Sequence, residues 1–254
     1  ENMITKQEML DTVKKQLAVD YNCNTDDFNR DGIAFTKAVK LEGRRKVPFL
    51  TPRCEVITMG SGIIVNASAD VLNFAKKRLN GKTRSEVLNA PFLSGSYPYF
   101  LPDLDNLKQI GGHNEFEYRL IEKAEIHSFY KYKGLTNALQ YNKESKTPEI
   151  LAAAAYDNKT LAGIVCATKD SEKMCQIGVD VLPEYRHRGI AAVIVNKLTF
   201  EVLNRDLIPY YFTDNSNLAS QKTALRAGYF PAWVHTWKNS LFKPPFSFLN
   251  YIKY

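Results

Sequence analysis

The sequence of 254 residues lacks several features that would assign it to a specialised class of protein. It has no apolar run of roughly 18 residues and no signal-peptide pattern, so neither a membrane span nor secretion is indicated. Its four cysteines have no metal-ligand spacing, and they are too few for a disulfide framework. We therefore expect no metal site, no membrane association and a cytoplasmic setting, where cysteines stay reduced.

The composition that is present is typical of a globular chain with a full hydrophobic core. Hydrophobic residues make up 44% and charged residues 24%, and the length fits one large or two small domains. The formal net charge is +7. This charge fits a well-solvated surface, or it fits an anionic ligand or nucleic acid, and the charge alone does not decide between them.

The first part of the chain predicts a small α/β module. Thr5 and Glu8 have the spacing of a capping box, which starts a helix. Residues 54–66 read as a strand, a glycine-rich turn and a second strand, and Ser68 can cap the helix that follows. A flexible pair, Gly111–Gly112, then marks a boundary. We predict an N-terminal α/β module over residues 1–112 and a second domain over residues 113–254.

In the second domain, strands and helices alternate, which predicts the mixed α/β (α+β) class. In chain order we predict strand Phe116–Glu122, helix Ala124–Leu139 with a break at Gly134, strands Ile150–Tyr156 and Leu161–Ala167, strand Met174–Leu182, helix Gly189–Asn204, strand Leu207–Thr213, helix Leu218–Ala227 and strand Tyr229–Trp237.

One segment, VLPEYRHRGIAA at residues 181–192, joins a predicted strand to a predicted helix through basic residues and a glycine. A helix start exposes unpaired amides and carries a partial positive charge, so it favours an anion. Gly189 lets a ligand approach the backbone, and Arg186 and Arg188 stay protonated. The segment therefore predicts a pyrophosphate site. It is not a P-loop, since Gly-x-x-x-x-Gly-Lys is absent.

Residues Arg186–Ala191 resemble the Arg/Gln-x-x-Gly-x-Gly/Ala signature of the GCN5-related N-acetyltransferase (GNAT) family. Ile177–Tyr185 is similar to that family's fourth strand and approach loop, and Asn217–Tyr229 is similar to its later helix. The resemblance covers about residues 113–240. The first 112 residues resemble an extra N-terminal module of a bacterial branch of the family.

The resemblance implies a GNAT-type fold, in which two strands splay apart around the co-substrate acetyl-coenzyme A. The strand edge at Val179 and Val181 would pair with the pantetheine arm, and Asn217 and Ser220 would touch the cofactor from the later helix. Backbone amides would hold the pyrophosphate at Arg186, His187, Arg188, Gly189, Ile190 and Ala191.

Each of these residues also has a purely structural interpretation. Arg186 and Ser220 fit an ordinary surface, His187 a solvated loop, and Asn217 a helix cap that can also touch the cofactor. Asp180 is either a structural acceptor or a residue that lines the site. The sequence leaves these alternatives open.

The sequence departs from the family where catalysis is concerned. The family's strand glutamate, the usual general base, has no counterpart at Met174–Gln176, and Ala224 stands where many members have a tyrosine as general acid. Tyr210, Tyr211 and Tyr229 lie nearby in sequence. We therefore assign no catalytic residue from the sequence.

The function that the resemblance implies is transfer of an acetyl group from acetyl-coenzyme A to an amine of a small molecule or peptide. The alternative is a catalytically inactive coenzyme A sensor or a nucleic-acid-associated regulator. We do not expect a nucleic-acid partner, because Tyr130–Lys133 and Tyr251–Tyr254 are only faint examples of the aromatic and basic interleaving that such a partner favours. The sequence makes no prediction of the acceptor or the oligomeric state.

Overall fold

The computed structural model describes residues 4–238, and over that range it contains six α-helices and ten β-strands. This confirms the mixed α/β class. The helices are α1 (Lys6–Tyr21), α2 (Ala69–Leu79), α3 (Arg84–Leu88), α4 (Lys123–Ile126), α5 (Ile190–Leu203) and α6 (Leu218–Arg226). The strands are β1 (Ile33–Lys37), β2 (Cys54–Thr58), β3 (Ile63–Ala67), β4 (Leu93–Pro102), β5 (Glu117–Glu122), β6 (Glu149–Asp157), β7 (Thr160–Lys169), β8 (Met174–Val181), β9 (Ile208–Phe212) and β10 (Tyr229–Lys238).

The chain forms two compact units, each assembled from segments that are distant in sequence. The first unit contains the residues up to Leu10 together with Phe100–Pro231, and the second contains Asp11–Tyr99 together with the chain from Ala232 onward. The domain boundary at residue 112 was inferred from a local glycine pair. It stays a prediction about modules of the chain.

In the first unit, β5, β6, β7 and β8 form an antiparallel run, and β9 joins β8 in parallel. The crossover from β8 to β9 is α5, which packs on this sheet. Its residues Ile190, Ile194, Leu198 and Val202 are all buried, as their four-residue spacing predicts. A helix between two parallel strands places the start of α5 at the end of β8, where the candidate site lies.

The helix predicted over Ala124–Leu139 is wrong in its extent. Only α4 is α-helical, a 3₁₀ turn follows over His127–Lys131, and the chain then leaves helical geometry. Gly134 has a φ of +80°, which an α-helix does not allow, so the predicted break at Gly134 is confirmed. The amides of Asn137 and Ala138 donate to the carboxylate of Asp180 rather than to helical carbonyls. At these two residues a tertiary contact takes the place of helical hydrogen bonds.

In the second unit, β2 and β3 form the predicted hairpin, and β1 pairs with β3 in parallel. Gly62 in the hairpin turn lies against the carbonyl oxygen of Asp27, where a Cβ atom would overlap it. Ser68 occupies the N-cap position of α2, but its hydroxyl accepts from the backbone N–H of Arg53 at 2.9 Å instead. The predicted turn and helix start are confirmed, and the capping hydrogen bond of Ser68 is not.

Candidate functional site

Strands β8 and β9 separate part of the way along their length. Within the described residues they pair from Met174 and Ile208 as far as Ile177 and Tyr211. Strand β8 continues to Val181, where β7 still pairs with it on the other side. The β8 edge from Gly178 to Val181 therefore faces away from β7 without β9 as a partner. An unpaired strand edge offers N–H and C=O groups to an extended ligand.

The turn after β8 has an unusual backbone. It begins with a 3₁₀ turn at Pro183–Tyr185, and it then brings His187 to a φ of +64° and Gly189 to +78°. Gly189 is the N-cap residue of α5, and glycine adopts this left-handed conformation without steric cost. His187 has a side chain, so the same conformation is strained there, by about 1 kcal/mol or more. Strain of this kind concentrates at functional sites.

This backbone leaves a run of amides unused. In residues 4–238 no hydrogen-bond acceptor pairs with the five backbone N–H groups from His187 through Ala191, whereas the next amide, of Ala192, donates to the carbonyl of Gly189. The run lies at the positive end of α5, a helix of 14 residues. Unused amides at a helix N-terminus are a ready anion site.

The arginines of the motif differ in their surroundings. Nε of Arg186 donates to the carbonyl of Val181 at 3.2 Å, so this residue ties the turn to the end of β8. The guanidinium of Arg188 lies 5.7 Å from the ring centroid of Tyr185 and 3.9 Å from the carboxylate of Glu115. Both arginine side chains are exposed, so both remain accessible to an anion.

A histidine that the sequence reasoning missed also lies at this turn. A methyl group on Gly189 would lie 3.1 Å from Nε2 of His113. His113 precedes β5, far from the motif in sequence, and its only local signal is the preceding pair Gly111–Gly112. Nothing in that pattern indicates a ligand, so only the fold could reveal this neighbour.

The start of α6 carries the other two predicted residues. Oδ1 of Asn217 accepts from the amide of Ser220 at 3.1 Å, which confirms that Asn217 caps the helix. The hydroxyl of Ser220 lies 2.7 Å from the hydroxyl of Tyr211, the last residue of β9 that pairs with β8. Ser220 is thus held next to the point where the two strands separate.

The structure assigns Asp180 to a structural role. Its carboxylate accepts hydrogen bonds from the amides of Asn137 and Ala138, at 2.8 and 2.9 Å, and from Nδ2 of Asn137, at 2.7 Å. Gly178 permits this arrangement, because a Cβ atom there would overlap the carbonyl oxygen of Asn137. The segment around Asn137 is therefore clamped onto β8.

At the positions of the family's usual catalysts, Met174, Cys175 and Ala224 are buried and Gln176 is half-buried. Met174 and Cys175 have 0% exposure, and burial raises the pKa of the Cys175 thiol to about 12, so this thiol stays protonated near neutral pH. Ala224 is also 0% exposed. Neither position provides a group that could exchange a proton with a ligand.

The described residues contain no group of three or more His, Cys, Asp or Glu side chains that could hold a metal ion. Among the described helices, none combines the length and apolar character that crossing a membrane requires.

In the segment Tyr130–Lys133, the hydroxyl of Tyr130 donates to Glu149 at 3.0 Å and Lys131 lies over the ring of Tyr132. These groups are engaged within the protein. Tyr251–Tyr254 lies outside the described residues.

Comparison with known proteins identifies one family. The model of the acetyltransferase (GNAT) family matches residues 116–229, which include the splayed strands, the turn with the five free amides and α6. No curated protein matches the sequence.

Three of the solved structures that match part of this chain come from bacterial proteins. A GNAT-family acetyltransferase from Colwellia psychrerythraea is 16% identical, with a TM-score of 0.45 and coverage of 57% of this chain and 56% of that protein. A GCN5-related N-acetyltransferase-like protein from Streptococcus suis is 14% identical, with a TM-score of 0.43 and coverage of 70% and 72%. A GCN5-related N-acetyltransferase from Sphaerobacter thermophilus is 17% identical, with a TM-score of 0.45 and coverage of 60% and 54%. The chain thus spans little more than half of the first and third of these proteins. Residues 116–229 of this chain form a domain of the acetyltransferase (GNAT) family.

Proposed function

We propose that the protein transfers an acetyl group from acetyl-coenzyme A to an amine of a small molecule or peptide. The observation that carries this proposal is the run of five unused amides, His187 to Ala191, directly after a strand edge that β9 leaves unpaired. A pyrophosphate and an extended amide-bearing arm need these two features side by side. The proposal places the protein in the bacterial cytoplasm.

The residues present fit such a cofactor. Gly189 keeps the approach to the amides open, because any Cβ there would project toward His113 and narrow the turn. The amides from His187 to Ala191 would bind the pyrophosphate, and the exposed side chains of Arg186 and Arg188 would add positive charge. When bound, the cofactor supplies an activated thioester carbonyl.

The remaining predicted residues would orient the rest of the cofactor. The backbone at Val179 and Val181 would pair with the amides of the pantetheine arm, as one strand pairs with another. Asn217 and Ser220, at the start of α6, would touch the cofactor from this later helix. We infer that the chain before residue 113 is an accessory module and that the acetyl-transfer chemistry belongs to residues 113–254.

A second candidate function is supported by one observation. Ala224 is buried and apolar where many family members have the catalytic tyrosine, which is what a coenzyme A sensor without turnover would tolerate. A sensor would bind acetyl-coenzyme A tightly and release no thiol with any acceptor. The acyltransferase is the first candidate because positioning alone can accelerate acyl transfer strongly.

The enzymatic proposal is tested by measuring thiol release from acetyl-coenzyme A in the presence of panels of amines, amino acids and peptides. We expect at least one acceptor class to raise thiol release above the rate without acceptor, and this increase to disappear in Gly189→Asp. Tight binding of acetyl-coenzyme A with no acceptor-dependent release across all panels would favour the sensor. Absence of both binding and release would overturn both candidates.

The cap of α6 gives a further prediction. Asn217→Ala should destabilise the protein by about 1 kcal/mol, the usual cost of losing a side-chain cap, and weaken acetyl-coenzyme A binding severalfold. The matched control is Thr83→Ala, which removes the side-chain cap of α3, where the Thr83 hydroxyl accepts from the amide of Glu86 at 3.3 Å. Thermal unfolding and calorimetric titration of both variants measure the two effects. Equal cofactor affinity in the two variants would show that Asn217 is only a cap.

A further inference from the structure

We propose that the hydroxyl of Tyr211 protonates the thiolate of coenzyme A as it leaves. This inference rests on the proposed function and adds the proton donor that the sequence could not assign. Tyr211 is then a catalytic residue that comes from β9, and it stands in for the tyrosine that the family usually places on the later helix.

The position of Tyr211 along the sheet is the first argument. An anion at the start of α5 fixes one end of the cofactor, and the arm would run along β8 from Val181 toward Gly178. These four residues span roughly 10 Å at about 3.3 Å per residue. The open edge ends where Ile177 pairs with Tyr211. The reactive end of an arm that follows this edge therefore points at Tyr211.

The hydroxyl groups of the other two tyrosines near the motif donate hydrogen bonds to other groups of the protein. The hydroxyl of Tyr210 donates to the carboxylate of Asp170. The hydroxyl of Tyr229 lies 2.7 Å from that of Thr199, which itself donates to the carbonyl of Val195, so the proton in the tyrosine–threonine bond comes from Tyr229. Thr199, the partner of Tyr229, is fully buried at 0% exposure, whereas Ser220, the partner of Tyr211, is half-buried. Neither tyrosine has a proton to offer a ligand.

The two hydroxyl groups of Tyr211 and Ser220 carry two protons, and the hydrogen bond between them uses only one. Their hydroxyls share one hydrogen bond of 2.7 Å, in which either oxygen can be the donor. When Ser220 donates to Tyr211, the proton of Tyr211 is free for a third group. Tyr211 is 4% exposed and Ser220 is half-buried, so the hydroxyl pair joins the buried end of β9 to the partly exposed start of α6.

Two opposing effects act on the pKa of the Tyr211 hydroxyl. Burial raises the pKa of Tyr211, which keeps the phenol protonated and ready to donate at neutral pH. The hydrogen bond from Ser220 acts in the opposite direction and lowers the pKa, because it stabilises the phenolate that remains after donation. The phenol is therefore protonated before the transfer, and its phenolate is stabilised by Ser220 afterwards.

The small side chain of Ala224 is consistent with a proton donor on β9 in place of one on α6. Ala224 lies one turn after Ser220 on α6, so both project from the same side of the helix. Ala224 and Tyr211 belong to the same cluster of buried residues. A phenol from α6 and the phenol of Tyr211 would compete for this space, and the chain has only the one from β9.

The step balances as ordinary acyl transfer. The lone pair of a neutral amine forms the C–N bond at the thioester carbonyl, and the C–S bond breaks with its electron pair on sulfur. Sulfur takes the proton of Tyr211, the proton lost by the amine nitrogen goes to water, and the phenolate regains a proton from water. No oxidant, reductant or metal takes part.

The test uses coenzyme A itself and needs no acceptor. The ultraviolet absorbance of the thiolate, followed against pH in the complex with the full chain, gives the pKa of the bound thiol. In the wild-type complex we expect this pKa to lie below that of free coenzyme A, because a donor aimed at sulfur stabilises the thiolate. In Tyr211→Phe the acid dissociation constant of the bound thiol should fall by at least about tenfold. The control is Tyr229→Phe, which removes a hydroxyl from the same face and should leave it unchanged.

The outcomes separate this inference from the proposed function. If coenzyme A does not bind to the wild type, the proposed function fails. If it binds and the bound thiol titrates like free coenzyme A, or Tyr211→Phe and wild type titrate alike, Tyr211 is not the donor. Should Tyr211→Phe fail to fold, the wild-type titration still decides, and Ser220→Ala is expected to shift the thiol in the same direction by a smaller factor. On an acceptor found by screening, Tyr211→Phe should lower kcat by about a hundredfold with unchanged cofactor affinity.

Discussion

Replacing Gly189 with aspartate is expected to weaken binding of acetyl-coenzyme A by at least about tenfold, equivalent to about 1.4 kcal/mol, while the protein still folds. The new carboxylate would lie at the N-cap of α5, among the free amides, where the pyrophosphate is proposed to bind. Two like charges at close range disfavour each other, and the carboxylate would also occupy amides that the cofactor needs. Calorimetric titration measures the loss, and circular dichroism checks the fold.

The control for this substitution must separate strain from charge. Gly189 has a φ of +78°, so any other residue is strained there. Gly134 has a φ of +80° in the same unit, and a Cβ atom on it would meet nothing within 4 Å. Gly134→Asp therefore carries the same backbone cost and the same charge, and it should bind acetyl-coenzyme A normally. Equal loss of affinity in the two variants would mean that the effect is general destabilisation and that the anion site is misplaced.

Replacing Gly178 with alanine is expected to lower the free energy of unfolding by about 3 kcal/mol or more. The added Cβ would overlap the backbone carbonyl oxygen of Asn137, which cannot rotate away as a flexible side chain could. The segment that donates to Asp180 would have to lift off β8, and its amides would lose their acceptor. Urea denaturation monitored by circular dichroism gives the free energy of unfolding directly.

Gly111→Ala is the matched control, because its φ is not left-handed and a Cβ atom there would meet nothing within 4 Å. We expect its free energy of unfolding to stay within about 0.5 kcal/mol of the wild-type value. If Gly178→Ala is as stable as Gly111→Ala, the contact between Asn137 and β8 does not hold in solution. The structural role given to Asp180 would then be wrong as well.

Elements whose signals are local in the sequence could be predicted. Apolar residues at every fourth position predict helix α5, and two apolar runs around a polar turn predict the hairpin of β6 and β7. The turn from Arg186 to Ala191 could be read from the sequence for the same reason, since strand end, turn and helix start are contiguous in the chain. A glycine beside basic residues at such a junction has few structural uses.

Contacts between distant segments could not be predicted in this way. In the part of Ala124–Leu139 that is not helical, the amides of Asn137 and Ala138 donate to Asp180, more than 40 positions away. His113 reaches Gly189 only through the fold. The three tyrosines looked equivalent in sequence, and their hydrogen-bond partners distinguish them. The pairing of Tyr211 with Ser220 depends on where β9 and α6 meet, which no local pattern encodes.

Calorimetric titration of the wild-type chain with acetyl-coenzyme A tests the central claim most directly. The five free amides beside the open edge of β8 predict one cofactor per chain, with a dissociation constant in the micromolar range or below. A ligand that binds only the folded state also raises the melting temperature, so a thermal shift should accompany the heat of binding. Neither heat nor thermal shift at millimolar acetyl-coenzyme A would contradict the claim that this turn and strand edge form a cofactor site.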